Sequence, residues 1–227
     1  EYYWIWQGRT GLSLYHPASE QISFASDFPN DTGKYHIIKC IEKCRTQPGI
    51  WAASGNACVV HLQHESMKMK CIQEIRIPDA CQVRVLHEDD QGNLWIGTEN
   101  AIYQYSISDG NMRRIHKDTG AINGIAISPD KAIYYITETP EFSCLPPDGQ
   151  VHSIHKGENY SSIIISPDNK IWTATLEGNV YSYHPQLQTL AREDNACNAN
   201  GDAVKSMTVD NLGHLWILAD QLSLIHI

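Results

Sequence analysis

The hydrophobic and polar positions of this chain repeat at a regular interval. Each repeat begins with a short apolar strand, passes through an acidic or Pro-Asp turn, continues into a strand centred on an aromatic residue, and closes with a strand that finishes on Tyr or His. Repeats of about 40–50 residues with several short strands each are typical of β-propeller blades. The aromatic residues fall at successive separations of 47, 44, 39, 38 and 44 residues and are Trp4, Trp51, Trp95, Tyr134, Trp172 and Trp216.

The clearest repeat spans residues 83–115 and contains four predicted strands, here called a, b, c and d in chain order. The Asp-Asp-Gln-Gly-Asn run at 89–93 consists of turn-forming residues and predicts a tight hairpin between strands a and b. It lacks the alternating ligands and the terminal Glu of a calcium loop. Strand b is apolar on both faces, which is expected when neighbouring blades cover both sides of a sheet.

The repeats predict an all-β fold, a β-propeller of four-stranded antiparallel blades with about five to six blades present. The first repeat supplies strands b, c and d, and the last supplies a, b and c, so the two ends duplicate strands instead of completing one blade. This mismatch predicts a piece of a larger propeller. The expected divisions are a partial blade at 1–28, blades at about 36–77, 82–116, 122–156 and 161–192, and a partial blade at 203–227.

Composition narrows the classes of partner. The net charge of −9 argues against nucleic acid, because phosphate binding depends on Lys and Arg. No apolar run approaches the ~18–20 residues of a membrane span, so we expect no membrane contact by this segment. The seven cysteines are odd in number and irregular in spacing, which argues against a disulfide framework and favours small buried hydrophobic residues.

The sequence offers no catalytic constellation. The 11 histidines show no metal-binding spacing, and Gly-x-Ser-x-Gly and glycine-rich phosphate loops are absent. The tryptophans of strand b recur once per repeat at one position, which favours packing over sugar stacking. We therefore predict no enzymatic activity for this segment, no catalytic residue, no metal site and no cofactor.

Residues 92–98 read Gly-Asn-Leu-Trp-Ile-Gly-Thr, with Leu-His-Glu-Asp before them and Ile-Tyr-Gln-Tyr shortly after. With these flanks the chain resembles the two-component regulator propeller repeat. Proteins with such repeats are most often periplasmic sensor regions of hybrid two-component regulators of Bacteroides-type bacteria. There the propellers precede an immunoglobulin-like domain, a membrane helix and a histidine kinase, none of which this chain contains.

The resemblance implies a periplasmic ligand-sensing or interaction domain that responds to a small molecule or an oligosaccharide, with a possible homodimer in the parent protein. Two alternatives stay open. The Ser-Pro-Asp turns at 128–130 and 166–168 resemble those of streptogramin lyases, propeller enzymes with a catalytic His and a metal. A scaffold propeller that binds a protein partner is the other.

In a propeller, the b–c and d–a connections emerge on one face around the central channel, so loops from separate blades converge there. Carboxylates, amides and aromatic rings on this face would suit a saccharide, since they bond hydroxyl groups and stack on sugar rings. The ligand-binding residues that we predict on this basis are Arg9, Glu99, Asn100, Glu138, Tyr160 and Glu177.

Overall fold

The computed structural model describes residues 2–6, 12–24, 38–54, 57–118, 120–194, 201–210, 212–220 and 225–226. The chain divides into two compact units, Glu1–Asp118 and Thr119–Ile227. In the described residues the regular structure consists of β-strands and two single-turn 3-10 helices, Pro17–Ser19 and Pro78–Ala80. None of the helices among them is long and apolar enough to cross a membrane.

The first unit contains three antiparallel sheets, and in each of them strands adjacent in sequence are hydrogen-bonded neighbours. The first sheet has three described strands, β1 Tyr3–Trp6, β2 Leu12–His16 and β3 Gln21–Phe24. The second has β4 Ile38–Lys43, β5 Ile50–Ser54, β6 Cys58–Glu65 and β7 Lys68–Arg76. The third has β8 Val83–Glu88, β9 Asn93–Thr98, β10 Ala101–Ser106 and β11 Met112–Lys117.

The second unit repeats this layout, again with neighbours in sequence paired within each sheet. Its first sheet has β12 Ile122–Ile127, β13 Ile133–Thr137, β14 Glu141–Leu145 and β15 His152–Lys156. The next has β16 Tyr160–Ile165, β17 Ile171–Thr175, β18 Val180–His184 and β19 Thr189–Arg192. The last has three described strands, β20 Val204–Val209, β21 Leu215–Ala219 and β22 Ile225–His226. The predicted all-β class of antiparallel sheets is confirmed.

The hydrophobic core lies between neighbouring sheets. In the first unit, Trp51 of β5 and Ile75 of β7 pack in one cluster with Leu94 of β9 and Tyr103 of β10. In the second unit, a cluster of the same kind joins the β12–β15 sheet to the β16–β19 sheet. In these clusters the residues of strand b that face the neighbouring sheet are apolar and buried, as expected where one sheet covers another.

The first strands of adjacent sheets lie beside one another: β4 contacts β8, and β16 contacts both β12 and β20. Gly124 of β12 shows how tight this approach is. A Cβ at that position would lie 2.6 Å from Ile163 Cγ2 and 2.9 Å from Ile136 Cγ1. Within each unit the first strands therefore form the innermost layer, which is where the sequence placed strand a.

The acidic turns between strands a and b hold the aromatic residue of strand b. Asp89 Oδ2 accepts a 2.9 Å hydrogen bond from Trp95 Nε1, and Asp89 Oδ1 accepts from the backbone N–H of Gln91 and Asn93. Asp210 binds Trp216 Nε1 in the same way, at 3.1 Å. The run at 89–93 is thus a hairpin turn, as predicted, and its Asp also satisfies the indole of the next strand.

These bonds set the acid sensitivity of the turn. Burial raises the pKa of Asp89, but the bonds from Trp95, Asn93 and Gln91 outweigh it and leave that pKa below its ordinary value. A carboxyl whose folded pKa is depressed contributes stability above its unfolded pKa, near 4, and loses it as pH falls through the folded value.

We expect Asp89→Asn to lower the free energy of unfolding by about 1–2 kcal/mol at neutral pH, because hydrogen bonds to a charge are replaced by bonds to a neutral amide. The loss should shrink at a pH near 3, because the unfolded carboxylate is protonated there and part of the stability that the folded carboxylate contributes is already gone. Urea titrations at neutral pH and near pH 3 measure this loss in free energy of unfolding. Asp90→Asn is the control, because Asp90 lies in the same turn but is exposed. An equal loss at both pH values would contradict the assigned role.

The cysteines pack as small apolar side chains. Six of them lie among the described residues as thiols outside any disulfide, and Cys44, Cys58, Cys81 and Cys144 are buried. Burial raises the pKa of Cys44 to about 12 and that of Cys144 to about 11, so both are uncharged thiols at neutral pH. Cys197 lies outside the described residues.

Candidate functional site

A β-bulge interrupts the first strand of five sheets at the strand's second residue. The pairing register with the next strand shifts there in every case. A bulge leaves its extra residue out of the ladder and re-aims that side chain, and bulges are frequent beside binding sites. The bulged residues are all polar: Lys39, Arg84, Asn123, Ser161 and Lys205. We call them the bulge residues.

Most of the bulge residues are exposed even though each follows a buried first residue of its strand. Lys39, Arg84, Asn123 and Lys205 are exposed, whereas Ser161 is half-buried and donates a 3.2 Å hydrogen bond to the Ala174 carbonyl. Lys205 Nζ lies 3.0 Å from Asp220 Oδ2. In each innermost strand the bulge therefore sets one polar side chain out of the regular pairing with the next strand.

The bulges lie at the end of the sheets where the b–c turns are. In four sheets the residue that follows strand b donates its backbone N–H to the carbonyl oxygen of the residue that precedes strand a. The N–O distances are 2.8–3.2 Å, and the pairs are Glu99 to Gln82, Glu138 to Ala121, Leu176 to Asn159, and Asp220 to Ala203. A buried Thr ends three of these b strands, and the Thr98 hydroxyl donates to the Ala101 carbonyl at 3.0 Å. We call this end, with its b–c turns, d–a connections and bulge residues, the connection face.

Four of the predicted ligand-binding residues lie in exposed b–c turns at this end. Glu99 and Asn100 occupy the β9–β10 turn, Glu138 the β13–β14 turn and Glu177 the β17–β18 turn. Asn100 Oδ1 accepts a 3.3 Å bond from Cys81 Sγ, and Glu177 Oε1 accepts a 2.6 Å bond from Asn159 Nδ2. Arg9 lies outside the described residues. Each unit therefore presents acidic and amide groups from successive sheets at one end.

The prediction that Tyr160 lies in an exposed d–a connection needs correction. Tyr160 is the first residue of β16 and is only 3% exposed. It is equivalent to the buried Ile38, Val83, Ile122 and Val204, which begin the other innermost strands. Its ring packs in the core between two sheets, and its hydroxyl lies 2.5 Å from His155 Nδ1. Burial, then Tyr181 and Glu158, raise the pKa of Tyr160, so its role is in packing.

The bulge residues and Asp220 were not among the residues predicted from the sequence. The pattern did hold a signal, because each apolar first strand carries a polar residue at its second position. In a regular strand a polar second residue simply points to the opposite face from its apolar neighbours, so the sequence pattern alone does not predict a bulge. Asp220 follows strand b as Glu99 and Glu138 do, and alignment on the strand-b aromatic would have found it.

The described residues hold no group of three or more His, Cys, Asp or Glu side chains arranged to bind a metal ion.

Successive four-stranded sheets, face-to-face cores and innermost first strands define β-propeller blades. The chain belongs to the SMP-30/gluconolactonase/LRE-like family, whose model matches residues 45–198. No curated protein matches the sequence significantly.

Solved structures share this fold at low sequence identity. The extracellular domain of the hybrid two-component system BT4673 from B. thetaiotaomicron has a TM-score of 0.73 and 17% identity, covering 100% of this chain and 31% of that one. The corresponding domain of BT3049 from the same organism has a TM-score of 0.71 and 18% identity, covering 98% and 31%. A luciferin-regenerating enzyme has a TM-score of 0.67 and 16% identity, covering 93% and 77%.

This chain therefore spans about a third of the two-component system domains that it matches. The likeness confirms the predicted β-propeller fold. At the level of fold it also confirms the resemblance to the extracytoplasmic regions of Bacteroides-type regulators.

Proposed function

We propose that this chain is a ligand-sensing module from the extracytoplasmic region of a hybrid two-component regulator, with its ligand bound at the connection face of one unit. The observation that carries this proposal is the match of nearly the whole chain to the extracellular domains of two such systems. A periplasmic location goes with the proposal. A homodimer of the parent protein and the division of the chain at the predicted blade boundaries stay predictions.

The chemistry of the connection face favours a polyhydroxylated ligand. Glu99 and Asn100 in the first unit, and Glu138 and Glu177 in the second, offer acceptors and donors at exposed turns, and each unit has bulge residues at the same end of its sheets. Hydroxyl groups of a saccharide both donate and accept, so a mixed set of carboxylates, amides and cations can bind several of them. We therefore propose a carbohydrate as the ligand, and we no longer assign Tyr160 to the site.

Binding should be detectable as thermal stabilisation. We expect at least one member of an oligosaccharide library, at about 100 times its dissociation constant, to stabilise the chain by roughly 2.7 kcal/mol. For a chain of this size that corresponds to a rise in Tm of about 5–10 °C. The triple variant Glu99→Gln, Glu138→Gln, Glu177→Gln should lose most of this rise. The matched pair Glu65→Gln and Asp148→Asn, exposed at other turns, should keep it.

The family match also includes enzymes in its description, so the screen needs an activity arm. We propose that the chain is non-catalytic and expect no turnover of gluconolactone, with or without Mg²⁺ or Ca²⁺. Turnover that depends on the connection-face carboxylates would contradict the sensing proposal and favour an enzyme. A library without a single stabilising saccharide would contradict the carbohydrate assignment.

A further inference from the structure

Trp6 is the most exposed tryptophan of the chain. It is the last residue of β1 and is 41% exposed, whereas Trp51 and Trp95 are buried and the other three tryptophans are half-buried. The marker aromatic of its strand is Trp4, so the packing role of the markers does not extend to Trp6. Its exposure therefore needs an explanation of its own.

The position that Trp6 occupies is covered in most of the other sheets. It lies two residues after the marker aromatic, and the equivalent residues of four other sheets are all buried: Ala53, Gly97, Ile136 and Ala174. Leu218, the equivalent in the last sheet, is exposed but carries no ring. Among the six repeats, each of which is described at this position, only the first presents an aromatic ring to solvent here.

The indole of Trp6 is held in place by the neighbouring sheet. Its Nε1 donates a 3.0 Å hydrogen bond to the Ile38 carbonyl oxygen at the start of β4. Leu12, directly across on β2, is buried in the core between the two sheets. The N–H is the only polar group of a tryptophan side chain, and here it is already bonded. The exposed surface of the side chain is therefore aromatic carbon, anchored at one edge of the ring.

Trp6 lies at the connection face of the first unit. The end of a strand b and the start of the next strand a both belong to this end of the sheets, and Ile38 directly precedes the bulge residue Lys39. The same end carries Glu99 in an exposed b–c turn. A carboxylate there repels an anionic ligand, and an aromatic surface needs no charge on its ligand, so these surroundings favour a neutral occupant.

We propose that Trp6 is the stacking platform of a subsite for a neutral pyranose ring at the connection face of the first unit. This inference rests on the proposed sensing function and names both the unit that binds and the part of the ligand that it recognises. One face of a pyranose ring presents C–H groups, which leave water when they cover an indole. The hydroxyl groups at the edge of the sugar ring stay available for hydrogen bonds. Because the indole is already anchored, little conformational entropy is lost when the sugar binds.

The experiment measures binding and tryptophan fluorescence with the same four probes: cellotetraose, mannotetraose, galactotetraose and tetragalacturonate. We expect at least one of the three neutral probes to bind in isothermal titration calorimetry, with an affinity that NaCl does not change because no ion pair forms. Tetragalacturonate, the acidic counterpart of galactotetraose, should bind no more tightly than galactotetraose does. The bound neutral saccharide should reduce the quenching of tryptophan emission by acrylamide, because it covers the most exposed indole.

Two variants separate stacking from anchoring. Trp6→Ala should weaken binding of the neutral probe by about tenfold or more, as is common for a tryptophan at the centre of a contact. Trp6→Phe keeps a smaller ring and should weaken binding less, and in this variant the saccharide should no longer change the emission. Both variants lose the hydrogen bond to Ile38, so the difference between their affinities measures the contribution of the ring.

Tyr3→Ala is the matched control. Tyr3 is an aromatic residue of the same strand and is 48% exposed, but it lies at the other end of β1 and on the opposite face of the sheet. Its replacement should leave the affinity for the neutral probe unchanged. Circular dichroism and the Tm of each variant show that it is folded at the temperature of the titration.

The other outcomes contradict the subsite. If Trp6→Ala binds the neutral probe as well as the parent does, or if only tetragalacturonate binds, the subsite is wrong and the sensing proposal stands. If Trp6→Ala and Trp6→Phe lose the same affinity, Trp6 only ties β1 to β4. If none of the four probes binds, the subsite is wrong, and the wider library screen decides the sensing proposal separately.

Discussion

Replacing Gly49 with Ala should lower the free energy of unfolding of the first unit by more than a substitution at any exposed position of the chain would. Gly49 lies in the turn before β5 with φ at +107°, and a Cβ there would lie 2.1 Å from the carbonyl oxygen of Leu62. The backbone conformation costs an L-residue about 1–2 kcal/mol, and the clash with a rigid strand adds about 1–3 kcal/mol. We expect Gly49→Ala to lower the free energy of unfolding by about 2–5 kcal/mol in urea titrations.

Gly149→Ala separates the two causes. Gly149 also has a positive φ, +86°, but nothing lies within 4 Å of the position that its Cβ would take. It should therefore lose only the conformational part, about 1–2 kcal/mol. If Gly49→Ala cost no more than Gly149→Ala, the close approach of the turn to β6 would be wrong.

Replacing Glu88 with Ala should cause the second large loss. The Glu88 side chain is fully buried between two sheets, where it accepts hydrogen bonds from Trp51 Nε1 at 2.7 Å and from Thr46 N at 2.9 Å and Oγ1 at 2.5 Å. Its removal leaves buried donors without an acceptor and opens a cavity. We expect Glu88→Ala to lower the free energy of unfolding by about 3–5 kcal/mol, measured by chemical denaturation.

Less drastic variants show which bond matters. Trp51→Phe removes the indole donor and one ring of a fully buried side chain, and should cost about 2–3 kcal/mol. The double variant Trp51→Phe, Glu88→Ala should lose less free energy of unfolding than the two single variants lose together, because both substitutions remove the same hydrogen bond. Glu65→Ala, exposed at the end of β6, should change stability by less than about 0.5 kcal/mol. Full additivity of the first two variants would contradict the inter-sheet bond.

The sequence predicted the fold well because its strongest signals are repeated. In all six repeats the marker aromatic, from Trp4 in the first to Trp216 in the last, lies on strand b as predicted. In the turn before one of these strands, Asp89 accepts a hydrogen bond from the indole of Trp95. A repeated turn and a repeated aromatic reinforce each other, so even a weak copy can be aligned. The b–c turn residues Glu99 and Glu138 followed from the same alignment.

What the sequence did not reveal depends on contacts between sheets. Tyr160 looks like a loop residue because it follows Gly157, Glu158 and Asn159, yet it starts β16 and is buried against the neighbouring sheet. Trp51 lacks an acid in its own turn, and its partner Glu88 comes from the next sheet along. The bulges at Lys39 and Arg84 depend on register between strands, which alternation alone does not set.

Hydrogen–deuterium exchange with and without a stabilising oligosaccharide from the library tests most directly whether the ligand binds at the connection face. We expect slower exchange in the b–c turns of the unit that binds it, around Glu99 and Asn100 in the first unit or around Glu138 and Glu177 in the second. The outer strands β7 and β11 should exchange unchanged. Protection confined to the outer strands or to the a–b turns at the opposite end of the sheets would contradict it.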